Sequence, residues 1–150
     1  MAARTNMYRE MLGRHQEETN SFPMFFAFSN EQFDDGMRRF GLNPEDTVKV
    51  YSIGGGGYIR REDVGKLGEM FGRHHRERQK AINADKKGTG FIYDMFRYEL
   101  ANHEYGYTQD LDDTLDSLKI TMEEIEQSPA LTRGLKKAMA VCTKKTVMPY

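Results

Sequence analysis

The chain has 150 residues with 22 Lys plus Arg against 23 Asp plus Glu, giving a formal net charge of −1 and a pI near 6.4. That is enough for one domain to bury a core without metal or disulfide staples, and the balance leaves no global field to draw it onto nucleic acid or membrane. Nine Phe and eight Tyr exclude a disordered chain, the lone Cys142 excludes an internal disulfide or a cysteine-based zinc site, and no stretch approaches the roughly 20 apolar residues of a membrane span.

Tyr8, Met11, Leu12 and His15 recur at helical spacing, predicting an amphipathic helix over residues 4–19. Its polar start lacks the apolar core of a secretion leader, so a cytoplasmic protein is expected. The run Phe22-Pro23-Met24-Phe25-Phe26-Ala27-Phe28 is short, aromatic and bounded by Pro and Ser29-Asn30, which favours a buried strand. Ser29 with Gln32 forms a capping box, and Phe33, Met37 and Phe40 continue at i, i+4, i+7, so a helix is expected over 30–40, closed by Gly41. After the turn residues Asn43-Pro44-Glu45-Asp46, alternation over 47–53 predicts a second strand.

Four consecutive glycines, Gly54, Gly55, Gly56 and Gly57, follow. Such a block carries a large backbone entropy cost, so the chain there is expected to need positive φ or a very close neighbour. With Tyr58-Ile59 as a returning strand, the glycines become a hairpin tip. Val64, Leu67, Met70, Phe71, His74 and Ile82 then mark one face of a long helix running towards Asp85, broken by Lys86-Lys87-Gly88-Thr89-Gly90. A further helix carries Ile92, Met95, Phe96, Leu100 and His103, and residues 105–108 read as a short extended piece. Residues 110–118 make an acidic helix, Thr121 with Glu124 forms a second capping box, and Ser128-Pro129 opens a last helix whose inner face is Leu131, Leu135, Ala138, Met139 and Cys142. No repeat or long linker divides the chain, so residues 1–150 are expected to form a single helix-dominated α+β domain with a small sheet of two to four strands.

No motif names an activity. The glycine loop lacks the Lys-Ser/Thr of a P-loop and the spaced glycines of a dinucleotide loop, although Arg60 and Arg61 beside it suit an anionic partner. Arg73, Arg76 and Lys80 at i, i+3, i+7 make a basic stripe interrupted by glutamates. Glu99 and His103 share a helix face but lack the further ligands of a metal site, and the Asp110 to Asp116 cluster lacks the glycine and glutamate of a calcium loop. No nucleophile sits in a catalytic setting. Catalytic residues, metal ligands and cofactors are therefore expected to be absent.

The segments Phe25-Phe26-Ala27-Phe28-Ser29-Asn30-Glu31-Gln32-Phe33, Ser52-Ile53-Gly54-Gly55-Gly56-Gly57-Tyr58-Ile59 and Tyr98-Glu99-Leu100-Ala101-Asn102-His103-Glu104-Tyr105 resemble a group of small uncharacterised proteins of phages and mobile elements of gut bacteria. The resemblance carries over no functional residue. It implies a setting, the cytoplasm of a bacterial host, in which small proteins without catalytic motifs are often stoichiometric inhibitors such as anti-CRISPR proteins. The leading expectation is a non-enzymatic accessory protein that binds and blocks a host protein. Its expected contact edge is Gly54, Gly55, Gly56, Gly57, Tyr58, Arg60 and Arg61, with Tyr58 as anchor and the helix end His103, Glu104 and Tyr105 as a second surface. Two alternatives stay open: a small enzyme whose glycine loop cradles phosphate while Glu99 and His103 hold a cation, and a nucleic-acid-binding regulator using Arg73, Arg76 and Lys80.

Overall fold

In a computed structural model, residues 4–147 are described, with side chains through residue 143. Among them are eight α-helices and one three-stranded antiparallel sheet, an α+β architecture dominated by helix. The elements in chain order are α1 (Met7–Asn20), β1 (Phe25–Phe26), α2 (Asn30–Arg39), β2 (Val50–Gly54), β3 (Gly57–Arg60) and α3 (Val64–Ala84). They continue with α4 (Phe91–Asn102), α5 (Tyr105–Thr108), α6 (Asp112–Leu118), α7 (Met122–Glu126) and α8 (Pro129–Val147). The residues divide into two compact units: a helical one made of the residues up to Gln16 with those from Glu77 onward, and a sheet-bearing one over Glu17–Arg76.

The sheet-bearing unit is built on β3, the central strand, with β1 and β2 on either side. Alternation along β3 sends Tyr58 and Arg60 to one face and Gly57 and Ile59 to the other. On the first face Phe25, Met37 and Val50 form a core with Phe33, Phe40 and Leu42 packed against it; on the second, fully buried Ile59 meets Leu67 and Met70 of α3 together with Phe22 and Met24. Helix α2 starts as its sequence demands: the Ser29 hydroxyl accepts from the Gln32 N–H at 3.1 Å, while the Gln32 side chain accepts from the Phe28 N–H at 2.7 Å.

Three local expectations are corrected. The first strand is confined to Phe25–Phe26, with the Ala27 N–H still donating to the Gly56 carbonyl at 2.9 Å. Residues 47–49 form a 3-10 turn closed by Lys49 N–H to Asp46 carbonyl at 3.0 Å, so β2 begins only at Val50 and Val48 is exposed. Residues 105–108 are a helical turn rather than an extended piece; Glu104, at φ 56°, reverses the chain into it.

The helical unit packs α4 most extensively against α8. Ile92, Met95, Phe96 and Leu100 face Leu135, Ala138 and Cys142 in one core, joined by Tyr8, Met11, Ile82, Leu118 and Ile125. The entry to α4 is fixed by Asp85, whose carboxylate accepts from the N–H groups of Gly88, Gly90 and Ile92 at 2.9 to 3.0 Å. The Thr121 hydroxyl caps α7 through the Glu124 N–H at 3.1 Å.

Candidate functional site

The glycine block is the tip of a two-residue hairpin. Gly54 pairs with Gly57, and the two loop residues Gly55 and Gly56 have φ of 59° and 82°. This is the type I′ arrangement, in which both central residues are left-handed and the twist matches that of the flanking strands, and glycine enters that region without a Cβ clash. Gly54 is also left-handed, at φ 86°, where a register irregularity between Ser52 and Gly54 lets the strand turn. Turn geometry thus accounts for three of the four glycines.

The fourth is explained by a neighbour. A Cβ at Gly57 would lie 2.9 Å from the Ile53 side chain and 3.1 Å from the Phe26 ring, and one at Gly56 would run into the Phe28 ring. The expected close approach to the main chain is therefore made by the protein's own aromatics. Gly56 and Gly57 are the floor on which Phe28, Phe26 and Ile53 lie. Two further bonds fix this arrangement: the Ala27 N–H donates to the Gly56 carbonyl at 2.9 Å, and Gln32 holds the Phe28 N–H.

These three side chains remain in contact with water. Phe28 is 76% exposed, Phe26 54% and Ile53 37%, with Tyr51 at 44% on the neighbouring position of β2. Isolated exposed apolar residues are ordinary, whereas two phenyl rings and an isoleucine gathered over a rigid hairpin form a contiguous patch. The alternation inside the run 25–28 places Phe25 and Ala27 in the core and Phe26 and Phe28 outside it. Sequence reasoning missed this surface because a uniformly apolar run reads as buried throughout.

The expected contact residues divide on inspection. Tyr58 is not an exposed anchor: its ring stacks on Phe25 with centroids 5.3 Å apart and meets Phe33 edge-on at 5.2 Å. The Arg60 guanidinium lies 4.1 Å over the Phe40 ring and donates to the Phe40 carbonyl at 3.4 Å, so it braces α2. Arg61 is exposed, yet its Nε donates to the Val48 carbonyl at 2.7 Å and its guanidinium approaches the Tyr51 ring. Gly54 and Gly55 are open to solvent.

The second expected surface is largely interior. Tyr105 belongs to the core of the helical unit, His103 is half-buried at the end of α4 with its Nε2 unpartnered, and Glu104 alone is exposed. Glu99 is buried, and its carboxylate accepts from the Tyr8 hydroxyl at 3.1 Å and the Ser117 hydroxyl at 3.3 Å. Burial next to that carboxylate pushes the Tyr8 phenol well above its ordinary range, so it stays a donor. No group of three or more metal-ligating side chains occurs among the described residues. The glycine loop and the Glu99–His103 pair belong to different units.

On α3 the basic stripe is partly spent. Glu18 accepts from both Arg73 and His74, the latter at 2.7 Å, and these hydrogen bonds, Arg73 first, hold its carboxyl at about 2. Arg76 and Lys80 are exposed.

No curated protein and no solved structure matches the chain. A family model matches residues 7–141, which takes in the hairpin, its aromatic cover and both units. The chain belongs to that family, a family of unknown function (DUF7659).

Proposed function

We propose that the chain is a non-enzymatic binding protein that docks on a partner protein through the hairpin tip of its sheet-bearing unit, with Phe28 and Phe26 as anchors. The observation that carries this reading is the pair of exposed phenyl rings seated on Gly56 and Gly57. Interface energy concentrates in a few large side chains that enter pockets on a partner. In the setting implied by the resemblance drawn from the sequence, a bacterial host cell, occupying a functional surface, that of a CRISPR effector for example, would be inhibition without chemistry. Arg61, exposed with its guanidinium near the Tyr51 ring, is the candidate for the polar rim.

The test compares capture from a host-cell lysate by the wild-type chain and by a Phe26→Ser, Phe28→Ser variant, followed by titration of the identified protein against both. Both positions are exposed, so the variant should keep its thermal midpoint while losing affinity by about a hundredfold, the scale expected for two anchors of about 1 to 2 kcal/mol each. Equal affinity for both chains, or loss of self-association as the single difference between them, would rule the reading out.

A further inference from the structure

We propose that the helical unit carries an anion site for a dianionic phosphate group in the cleft where the start of α1 meets α4. The cleft measures about 470 Å³ and is lined by Arg4, Arg9, Tyr93, Asp94, Arg97 and Tyr98, among others. That volume lies within the range of small-molecule sites and admits a phosphate group. Three guanidiniums face one carboxylate there, a net charge of +2 on these residues.

The single carboxylate is spent on construction. Asp94 is buried, and its two oxygens accept from Arg4 Nη1 and Nη2 at 2.7 Å each, with the Met7 N–H adding a bond at 2.9 Å. A fork held on one edge in this way keeps its other N–H groups free to face outward, in a fixed plane, which is the arrangement suited to phosphate oxygens. Arg4 stays half-exposed although so held. Asp85 also acts on Arg4 through space, yet its own oxygens are occupied by the backbone N–H groups at the start of α4.

Arg9 and Arg97 have no acidic partner among the described residues. Arg97 Nη1 lies 3.4 Å from the Tyr93 hydroxyl, and the Lys137 ammonium sits 4.6 Å over the same ring. Three arginines line one concavity, and the only carboxylate lining it is already bound to Arg4. A dianionic phosphate would offset that excess, whereas a neutral ligand would leave it in place.

Isothermal titration at low ionic strength with inorganic phosphate, AMP and adenosine tests the site. Saturable one-to-one binding of phosphate and AMP, with none of adenosine, is expected; tighter binding of AMP assigns the phosphate to a nucleotide, and equal binding assigns it to the free ion. Arg9→Ala with Arg97→Ala, both exposed positions, should weaken that binding about tenfold or more, while the charge-matched pair Arg38→Ala with Arg39→Ala should leave it unchanged. Absence of saturable binding by phosphate and AMP, unchanged affinity in the first double variant, or equal loss in the second overturns the proposal.

Discussion

Replacing Gly55 and Gly56 one at a time separates the two roles assigned to the hairpin tip. At Gly55 the backbone is left-handed and nothing lies within 4 Å of the site where a Cβ would be, so Gly55→Ala carries only a conformational cost, about 1 kcal/mol. Gly55→Asn costs less, since asparagine tolerates this backbone. At Gly56 the same backbone cost applies, and the added methyl also meets the Phe28 ring. Because Phe28 is exposed, its ring can swing aside, so the steric part is relieved by dismantling the patch rather than by breaking the strand pairing. The two alanine variants should therefore differ little in stability, each lowering the thermal midpoint by about 2 to 4 °C for a chain of this size. They should differ in partner affinity, with Gly56→Ala weakened and Gly55→Ala close to wild type. Far-UV circular dichroism with urea gives the stabilities, and hydrogen exchange of the β3 amides reports the hairpin itself, which matters where two compact units need not unfold together. If Gly55→Ala is neutral, the left-handed requirement is wrong; if both variants bind alike, the glycine floor does not position Phe28.

Gly134 in α8 tests packing against propensity. Alanine there gains about 1 kcal/mol in helix propensity, but its Cβ would lie 2.5 Å from Ile92 Cγ2 and 2.6 Å from the Gly88 carbonyl, and a backbone oxygen cannot move as a side chain can. Net destabilisation of about 1 to 2 kcal/mol is expected in urea denaturation, and a stabilised variant would refute the close approach of α8 to the start of α4. Acid stability tests Glu18. Its folded-state pKa, about 2, lies below the ordinary 4.5, so its contribution is fully present above pH 4.5 and is lost as pH falls towards 2. The midpoint difference between wild type and Glu18→Gln should be present at pH 6 and shrink between pH 4.5 and pH 2; a difference that stays constant over that range would show that the hydrogen bonds from Arg73 and His74 do not hold the carboxylate.

Much of the fold was legible wherever a local rule fixed it. The cap at Ser29, the inner faces of α4 and α8 and the hairpin at the glycines all follow from residues close together in sequence. What the sequence hid depends on partners far along the chain. Tyr58 reads as an exposed aromatic beside a flexible loop, but its register opposite Phe25 turns it onto the α2 face. Tyr105 is buried because Glu104 takes a left-handed backbone, and no composition rule predicts that of a glutamate. The pairing of Arg4 with Asp94 spans 90 positions, so no spacing pattern signals the cleft it helps to build.

The four glycines bear most directly on function. Their conservation of space was expected to serve something approaching the main chain from outside, and the approach found is intramolecular, by Phe26 and Phe28. This shifts the site from backbone to side chain without removing it. A hairpin needing only to turn requires left-handed residues at 55 and 56 and is indifferent to position 57, where the backbone is ordinary and any β-former would serve. A side chain at Gly57 would instead lift Phe26 and Ile53 away from the sheet. Glycine costs the strand about 0.5 to 1 kcal/mol relative to alanine, and the return is Phe26 and Ile53 seated against position 57 while still in contact with water. On the proposed reading, that cost is accounted for when the arrangement meets a partner.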